Sequence, residues 1–278
     1  MGAHAAPAYA GARTHIGVFD SGLGGLSVLR ALHERLPQAD LTYVADSAHA
    51  PYGERDDDFI AARSHHICDH LIAQQVDAIV VACNTATAAA IHRLRQTYPA
   101  LPIVGVEPGV KPAVAQSPSK RIGVLATPST LASDKYRRLI DQHGMGAVIV
   151  SQACPGLARE IESGQLDTPA LRELVERFSK PLREADVDTA VLGCTHYPFV
   201  APLFQQALGR EVTVLDTASA VAEHAARLCA RAQTEHAAQA AGHASNGLLH
   251  FCTTAEPAHL AHAVHHWLGL DCAVTRLS

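Results

Sequence analysis

An α/β fold built from two similar halves, each a doubly wound parallel sheet, follows from three observations. Short apolar runs alternate with longer amphipathic stretches, turn-rich segments follow several of the runs, and two of the runs recur later in the chain. Taken in order, the expected strands are His15 to Asp20, Leu41 to Ala45, Asp77 to Ala82, Ile103 to Val106, Arg121 to Ala126, Ala147 to Ser151, Thr189 to Gly193, Val212 to Leu215 and Leu248 to Cys252. Each is a continuous run of strand length, the pattern of a strand covered by helices on both faces. The recurrences are IGVFDS at Ile16 against IGVLAT at Ile122, and VDAIVVACNT at Val76 against VDTAVLGCTH at Val187, offset by 106 and 111 residues. Nearly equal offsets for separate motifs indicate an internal duplication, with one cysteine ending a corresponding strand in each half. The two halves are expected to be related by pseudo-two-fold symmetry, with a cleft between them.

The Pro- and Ser-rich stretch Val106 to Lys120 is expected to carry the chain between halves. After Asp216 an Ala-rich helical stretch runs to about Gln233, followed by a low-complexity connection. The last strand and helix, Leu248 to Leu268, are expected to return to the first sheet. The domains are therefore drawn as residues 14–107 with 217–278, and 108–216, with 1–13 a flexible extension.

Composition excludes several classes. With 48% hydrophobic and 18% charged residues among 278, the chain is globular rather than disordered. A net charge of −5 without a Lys/Arg block gives no electrostatic footprint for nucleic acid. No segment supplies the roughly 20 apolar residues of a membrane span, since Asn84, Thr85 and Thr87 interrupt the most apolar stretch, so a soluble protein without membrane partners is expected. The N-terminus has no secretory pattern, and Ala6 spoils a myristoylation motif. The seven cysteines, Cys68, Cys83, Cys154, Cys194, Cys229, Cys252 and Cys272, contain no C-x-x-C pair, which points to free thiols in a reducing cytoplasm.

Ligands in parallel α/β sheets bind beyond the carboxyl ends of strands, where helix N-termini present free N–H groups. Cys83 and Cys194 sit at that edge, followed by Asn84-Thr85 and Thr195-His196, residue types suited to helix starts and to gripping a carboxylate. Helix starts favour thiolate, so both thiols are expected to be partly ionised near neutral pH. If the halves face each other, two thiols stand on opposite walls of one cleft, as stereoinversion at carbon requires: one base removes a proton and the other delivers one from behind. Either cysteine alone would read as buried packing, which is the reading for the other five. FDSGLGG, from Phe19, lacks the dinucleotide-binding spacing but delivers Asp20 and Ser21 at a strand end. Its counterpart, Ala126-Thr127, offers only the hydroxyl of Thr127 as a supporting group, so the walls are chemically unequal. DSAHAPYGERD, from Asp46, is a tight loop that can place Tyr52 and Gly53 at the cleft.

FDSGLGG, PYG, ACNTAT and GCTHYP, in this order and spacing, resemble the glutamate racemases, cofactor-independent isomerases that supply D-glutamate for peptidoglycan. The likeness covers Ile16 to about Asp216. It implies that Cys83 acts on the D-enantiomer and Cys194 on the L-enantiomer, with Asp20 and His196 assisting the thiols. Ser21, Tyr52, Gly53, Asn84, Thr85, Thr195 and His196 would bind the substrate. Asp46 and Glu162 match acidic positions near the site, Glu162 with equal claim to being a solvated helix carboxylate. No cofactor and no metal is implied, and a homodimer is the expected assembly.

Alternatives stay open at this stage: an aspartate racemase or related decarboxylase, a Cys-His hydrolase built on Cys194 and His196, or a non-catalytic amino-acid-binding protein on the same scaffold. Residues two apart at a helix start do not face each other, which weighs against the hydrolase. His66 with His70, and His259, His262 and His266, have spacings that can bind zinc. An Ala- and His-rich composition produces such spacings without function.

Overall fold

In a computed structural model of the chain, residues 13–236 and 246–277 are described. The N-terminal extension, apart from Arg13, and most of the low-complexity connection lie outside them. β1 (His15–Asp20), α1 (Leu26–Arg35), β2 (Asp40–Ala45), α2 (Asp57–Ala73), β3 (Ala78–Val81), α3 (Asn84–Thr97) and β4 (Ile103–Gly105) build the first sheet. After α4 (Val110–Gln116), the second sheet follows with β5 (Arg121–Ala126), α5 (Pro128–Ala132), α6 (Asp134–His143), β6 (Val148–Ala153), α7 (Leu157–Glu162), α8 (Pro169–Glu184), β7 (Thr189–Leu192), α9 (Ala201–Leu208) and β8 (Thr213–Leu215). The chain ends with α10 (Ala218–His236), β9 (Leu249–Thr253), α11 (Pro257–Leu268) and β10 (Val274–Arg276).

The first sheet runs β10-β9-β2-β1-β3-β4 and the second β6-β5-β7-β8, with every pairing parallel. Without β9 and β10, the first order reduces to that of the second. In both, the chain reverses its winding direction between the first and third strands, the place where an open α/β sheet forms a ligand crevice. β1 and β3 are each buried on both faces, which is why they read as unbroken apolar runs. One side of the first sheet packs Leu26, Leu29 and Leu32 of α1 against Val18, Tyr43 and Val80, and the other packs Leu71 and Leu94 against Phe19, Ile79 and Val81. The second sheet has its own two cores, around Phe178, Leu182 and Phe204 on one face and Val124, Tyr136 and Val191 on the other.

Two elements depart from the sequence reading. The Pro- and Ser-rich connection is not all linker: α4 forms within it, with Pro112 in the first turn, where a missing N–H costs nothing, and buries Val110 and Ala113. β10 was not expected. It has three residues, two of them exposed, and takes strand form by pairing with β9 at the sheet edge.

Candidate active site

Cys83 and Cys194 follow β3 and β7, which hold equivalent places in the two sheets. They are 5% and 6% exposed, so both thiols are withdrawn from solvent. Cys83 is the N-cap of α3, and its Sγ accepts the Ala86 N–H at 3.4 Å while facing Ser21 Oγ at 3.8 Å. Ser21 in turn donates to Asp20 Oδ1 at 3.3 Å, and Thr195 donates to Asp20 Oδ2 at 2.9 Å. A polar chain thus runs from Cys83 through Ser21 and Asp20 to the residue beside Cys194, crossing from one lobe to the other.

The expectation of an easily ionised Cys83 is overturned. Burial, and then the Asp20 carboxylate, raise its pKa strongly, and the Ala86 N–H only partly offsets them. A helix N-terminus favours thiolate, but a desolvated site next to a carboxylate opposes it more. Asp20 itself, fully buried, is pushed up to about 6 by desolvation, moderated by His196 and the Gly22 N–H.

On the other wall the Cys194 Sγ lies 3.8 Å from His196 Nδ1, although only one residue separates them. The sequence expectation that they would not face each other assumed a helix. Cys194 to His196 instead form an irregular turn before a short 3-10 segment, Tyr197–Val200, so helical spacing does not apply. His196 Nε2 donates to Glu162 Oε2 at 2.6 Å. Burial disfavours the imidazolium, but Cys194 and Glu162 outweigh it and hold the His196 pKa well above its ordinary value. Glu162 is not a solvated helix carboxylate. Its side chain is 13% exposed and also accepts the Leu23 N–H at 2.8 Å and the Ser47 hydroxyl at 3.1 Å.

The glycine-rich turn owes its composition to this close approach. A Cβ on Gly24 would lie 2.3 Å from His196 Nδ1, and one on Gly22 would lie 2.2 Å from Glu162 Oε1. Gly24→Ala is expected to displace the imidazole from Cys194 and lower turnover about 100-fold. Steady-state kinetics beside a melting curve tests this; an unchanged kcat would show that the imidazole position is unimportant.

Thr85, Thr127 and Thr130 form a hydroxyl cluster between the lobes, with Thr85 Oγ1 at 3.0 Å from Thr127 and 3.4 Å from Thr130. Among the described residues, Asn84 Nδ2 is buried without a hydrogen-bond partner, a costly state that marks a place for an acceptor. Gly53 packs against Thr127, where a Cβ would meet Thr127 Cβ at 2.9 Å. Tyr52 and Asp46 stand one layer back: Tyr52 donates to Asp46 Oδ2 at 2.5 Å, and Arg63 grips both Asp46 oxygens at 2.9 and 2.8 Å. Desolvation would raise the Asp46 pKa, but Arg63 and Tyr52 together hold it below the usual carboxylate value. Asp46 therefore fixes the loop that carries Tyr52 and Gly53.

Ser27, Ser47 and Arg63 were not read from sequence. Ser27, 2% exposed, directs its hydroxyl at the carbonyls of Gly24 and Thr195 at 2.9 and 3.0 Å, tying the glycine turn to the opposite wall. A buried serine on the apolar stripe of α1 was the only available signal. Among the described residues no three His, Cys, Asp or Glu side chains are grouped to hold a metal, and no helix is long and apolar enough to cross a membrane. The seven cysteines are free.

Asp20 carries a stability signature. Its folded pKa of about 6 exceeds the ordinary 3.8, so its contribution to folding is full below the lower value and is lost as pH rises through the upper one. Asp20→Asn, neutral throughout, should therefore gain about 3 kcal/mol of stability at pH 8 and almost none at pH 4. Urea unfolding at the two pH values tests this, and an equal change at both would contradict it.

A duplicated α/β scaffold with a thiol ending the same strand of each half, the two walls linked by a buried polar chain, is the setting of a racemase-type enzyme. The chain belongs to the Asp/Glu/Hydantoin racemase family, whose model matches residues 16–225, and it is thereby an isomerase. It is 51% identical to a glutamate racemase of Ectopseudomonas mendocina over 213 residues, covering 77% of this chain and 81% of the relative. It is 50% identical to that of Pseudomonas aeruginosa PAO1 over 218 residues, covering 78% and 82%. Among solved structures, glutamate racemase isoform RacE1 from Bacillus anthracis superposes with a TM-score of 0.85 at 30% identity, covering 95% of this chain and 97% of that one. The Escherichia coli glutamate racemase, solved with L-glutamate and the activator UDP-MurNAc-Ala, gives 0.82 at 27% identity, covering 96% and 99%.

Proposed function

We propose that the protein is a cofactor-independent glutamate racemase that interconverts L- and D-glutamate with two cysteine bases and supplies D-glutamate for peptidoglycan. The observation that carries this reading is the pair of buried thiols at equivalent strand ends, joined through Ser21, Asp20 and Thr195. Cys194 removes the α-proton of L-glutamate while Cys83 delivers one to the opposite face; from D-glutamate the roles exchange.

The walls differ in how they hold charge. His196, kept protonated beside Cys194, places a cation 3.8 Å from Sγ. Cys83, facing the Asp20 side, is held as the thiol, which is the state that protonates. One turnover transfers a proton to Cys194 and removes one from Cys83, leaving the arrangement that acts on D-glutamate. The amide of Asn84, the Thr85 hydroxyl and the start of α3 provide donors for the substrate carboxylates, while Thr127 and Thr195 line the same place with their own hydrogens on Thr130 and Asp20. Such donors stabilise the charge that develops as the weakly acidic Cα–H bond breaks.

Cys194, His196 and Glu162 lie in the order of a thiol nucleophile, its base and an orienting carboxylate, which favours a hydrolase reading when taken alone. A second buried thiol in the equivalent strand position has no role in that chemistry.

The domain limits 14–107 with 217–278, and 108–216, are kept as part of this reading. Packing of α10 on α1 and pairing of β9 with β2 support them. A cytoplasmic homodimer is the expected form, to be checked by light scattering. Reduced protein without added cofactor should racemise L-glutamate, followed by optical rotation, and L-aspartate far more slowly. Preference for aspartate would overturn the substrate assignment, and binding without turnover would favour a non-catalytic role.

A further inference from the structure

Glu162 belongs to the second lobe through α7, whose Leu157, Ala158 and Ile161 are buried in that lobe's core. Its polar contacts, however, come mostly from the first lobe. Leu23 N–H binds Oε2, the Ser47 hydroxyl binds Oε1, and His259 Nε2 lies 2.9 Å from the Glu162 backbone carbonyl. Arg159, one turn earlier on α7, pairs with Glu54 of the loop that carries Ser47.

His259 is on α11, a helix that also reaches the second lobe through Trp267, whose ring lies tilted against that of Phe199 with centroids 4.2 Å apart. The C-terminal helix is therefore a strut laid across both lobes, and its histidine meets the end of α7. The histidine-rich tail that suggested metal spacing in the sequence has one member engaged at the catalytic relay.

We infer that Ser47 and His259 are positioning residues that seat Glu162 against His196 only when the lobes are docked, so that the Cys194 proton relay is assembled by closure. This rests on the two-base reading above. Ser47 fixes the carboxylate oxygen that His196 does not use, and His259 fixes the backbone from which the side chain projects. A carboxylate released from either anchor can swing away from the imidazole, and displacements near 1 Å at such a relay are costly.

The relay serves one wall only, and this yields a signature that a general folding defect lacks. When Cys194 transfers slow, abstraction from L-glutamate becomes more rate-limiting and abstraction from D-glutamate less so. Equilibrium between enantiomers forces kcat/KM to fall equally in both directions, so the asymmetry must be sought in isotope effects.

The experiment measures primary isotope effects on kcat/KM with α-deuterated L- and D-glutamate for the full-length wild type, Ser47→Ala, His259→Ala and the conservative His259→Gln, which keeps a side-chain N–H. Expected are a drop in kcat of about tenfold for both alanine variants with KM changed little, a larger isotope effect from L-glutamate, a smaller one from D-glutamate, and recovery of both in His259→Gln. Isotope effects that stay as in wild type, or change alike for both enantiomers, overturn the inference. Should His259→Ala not fold, Ser47→Ala and His259→Gln decide it by the same criterion. A wild type that racemises no glutamate sinks the underlying reading instead, so the two failures are distinguishable.

Discussion

Cys83→Ala and Cys194→Ala should each lower racemisation of glutamate by about 10³-fold or more, the scale expected when a positioned acid or base is removed from an obligatory step. Neither thiol carries a large share of the fold. Cys83 contributes one weak acceptor to the Ala86 N–H, and Cys194 touches His196 at 3.8 Å. Truncation to alanine removes one sulfur, so melting temperatures should move by only a few degrees. Both variants should still bind glutamate, because the donors assigned to its carboxylates lie on Asn84, Thr85 and the start of α3. The two losses should not add: inversion needs both bases, so the double variant should be about as inactive as either single one. A Cys83→Ala variant that kept more than a tenth of wild-type turnover would remove Cys83 from the mechanism.

Arg63→Met should destabilise the fold by about 3–5 kcal/mol at neutral pH, the cost of stranding a buried carboxylate. Asp46 has no side-chain exposure, and Arg63 binds both of its oxygens. Tyr52, His49 and Thr254 also point at Asp46, but none supplies the fixed charge of the guanidinium. The sign with pH follows from the lowered Asp46 pKa. Its stabilisation is present above the unfolded-state value and is lost as pH falls through the folded one. The penalty of Arg63→Met should therefore shrink below about pH 4, and Asp46→Asn in the same chain should restore part of the loss at pH 7. Chemical unfolding of the two variants across pH tests this; a penalty independent of pH would mean that Arg63 acts by packing alone.

Much of the fold was readable because the chemistry is local. A short, β-branched apolar run such as Ala78 to Val81 reads as a covered strand, and the repetition of V-D-x-x-V-x-x-C carried the duplicated plan directly. β10 escaped because its three residues have no pattern of their own and gain strand form from β9. α4 escaped because the Pro and Ser content of Val106 to Lys120 was read as a connection, without regard to the place of Pro112 in a first turn.

The site divides along the same line. Asp20, Ser21, both cysteines and their neighbours stand at strand ends, where parallel sheets expose ligand-binding groups. The contacts that decide their behaviour are not local: Thr195 reaches Asp20 across 175 residues, and Leu23 reaches Glu162 across 139. Burial explains the corrected thiol. A helix N-terminus is visible in sequence, whereas the loss of solvent and the approach of the Asp20 carboxylate to Cys83 are products of the tertiary fold, which lays β1 beside β3.

The central claim is that different bases serve the two faces of one carbon, and the first few per cent of turnover in D₂O tests it most directly. With unlabelled L-glutamate, the D-glutamate formed should carry deuterium at Cα from a thiol equilibrated with solvent, while the remaining L-glutamate keeps its protium. Early D-glutamate that retains the substrate's own proton, or L-glutamate that gains deuterium as fast as product forms, would indicate a single base and contradict the account.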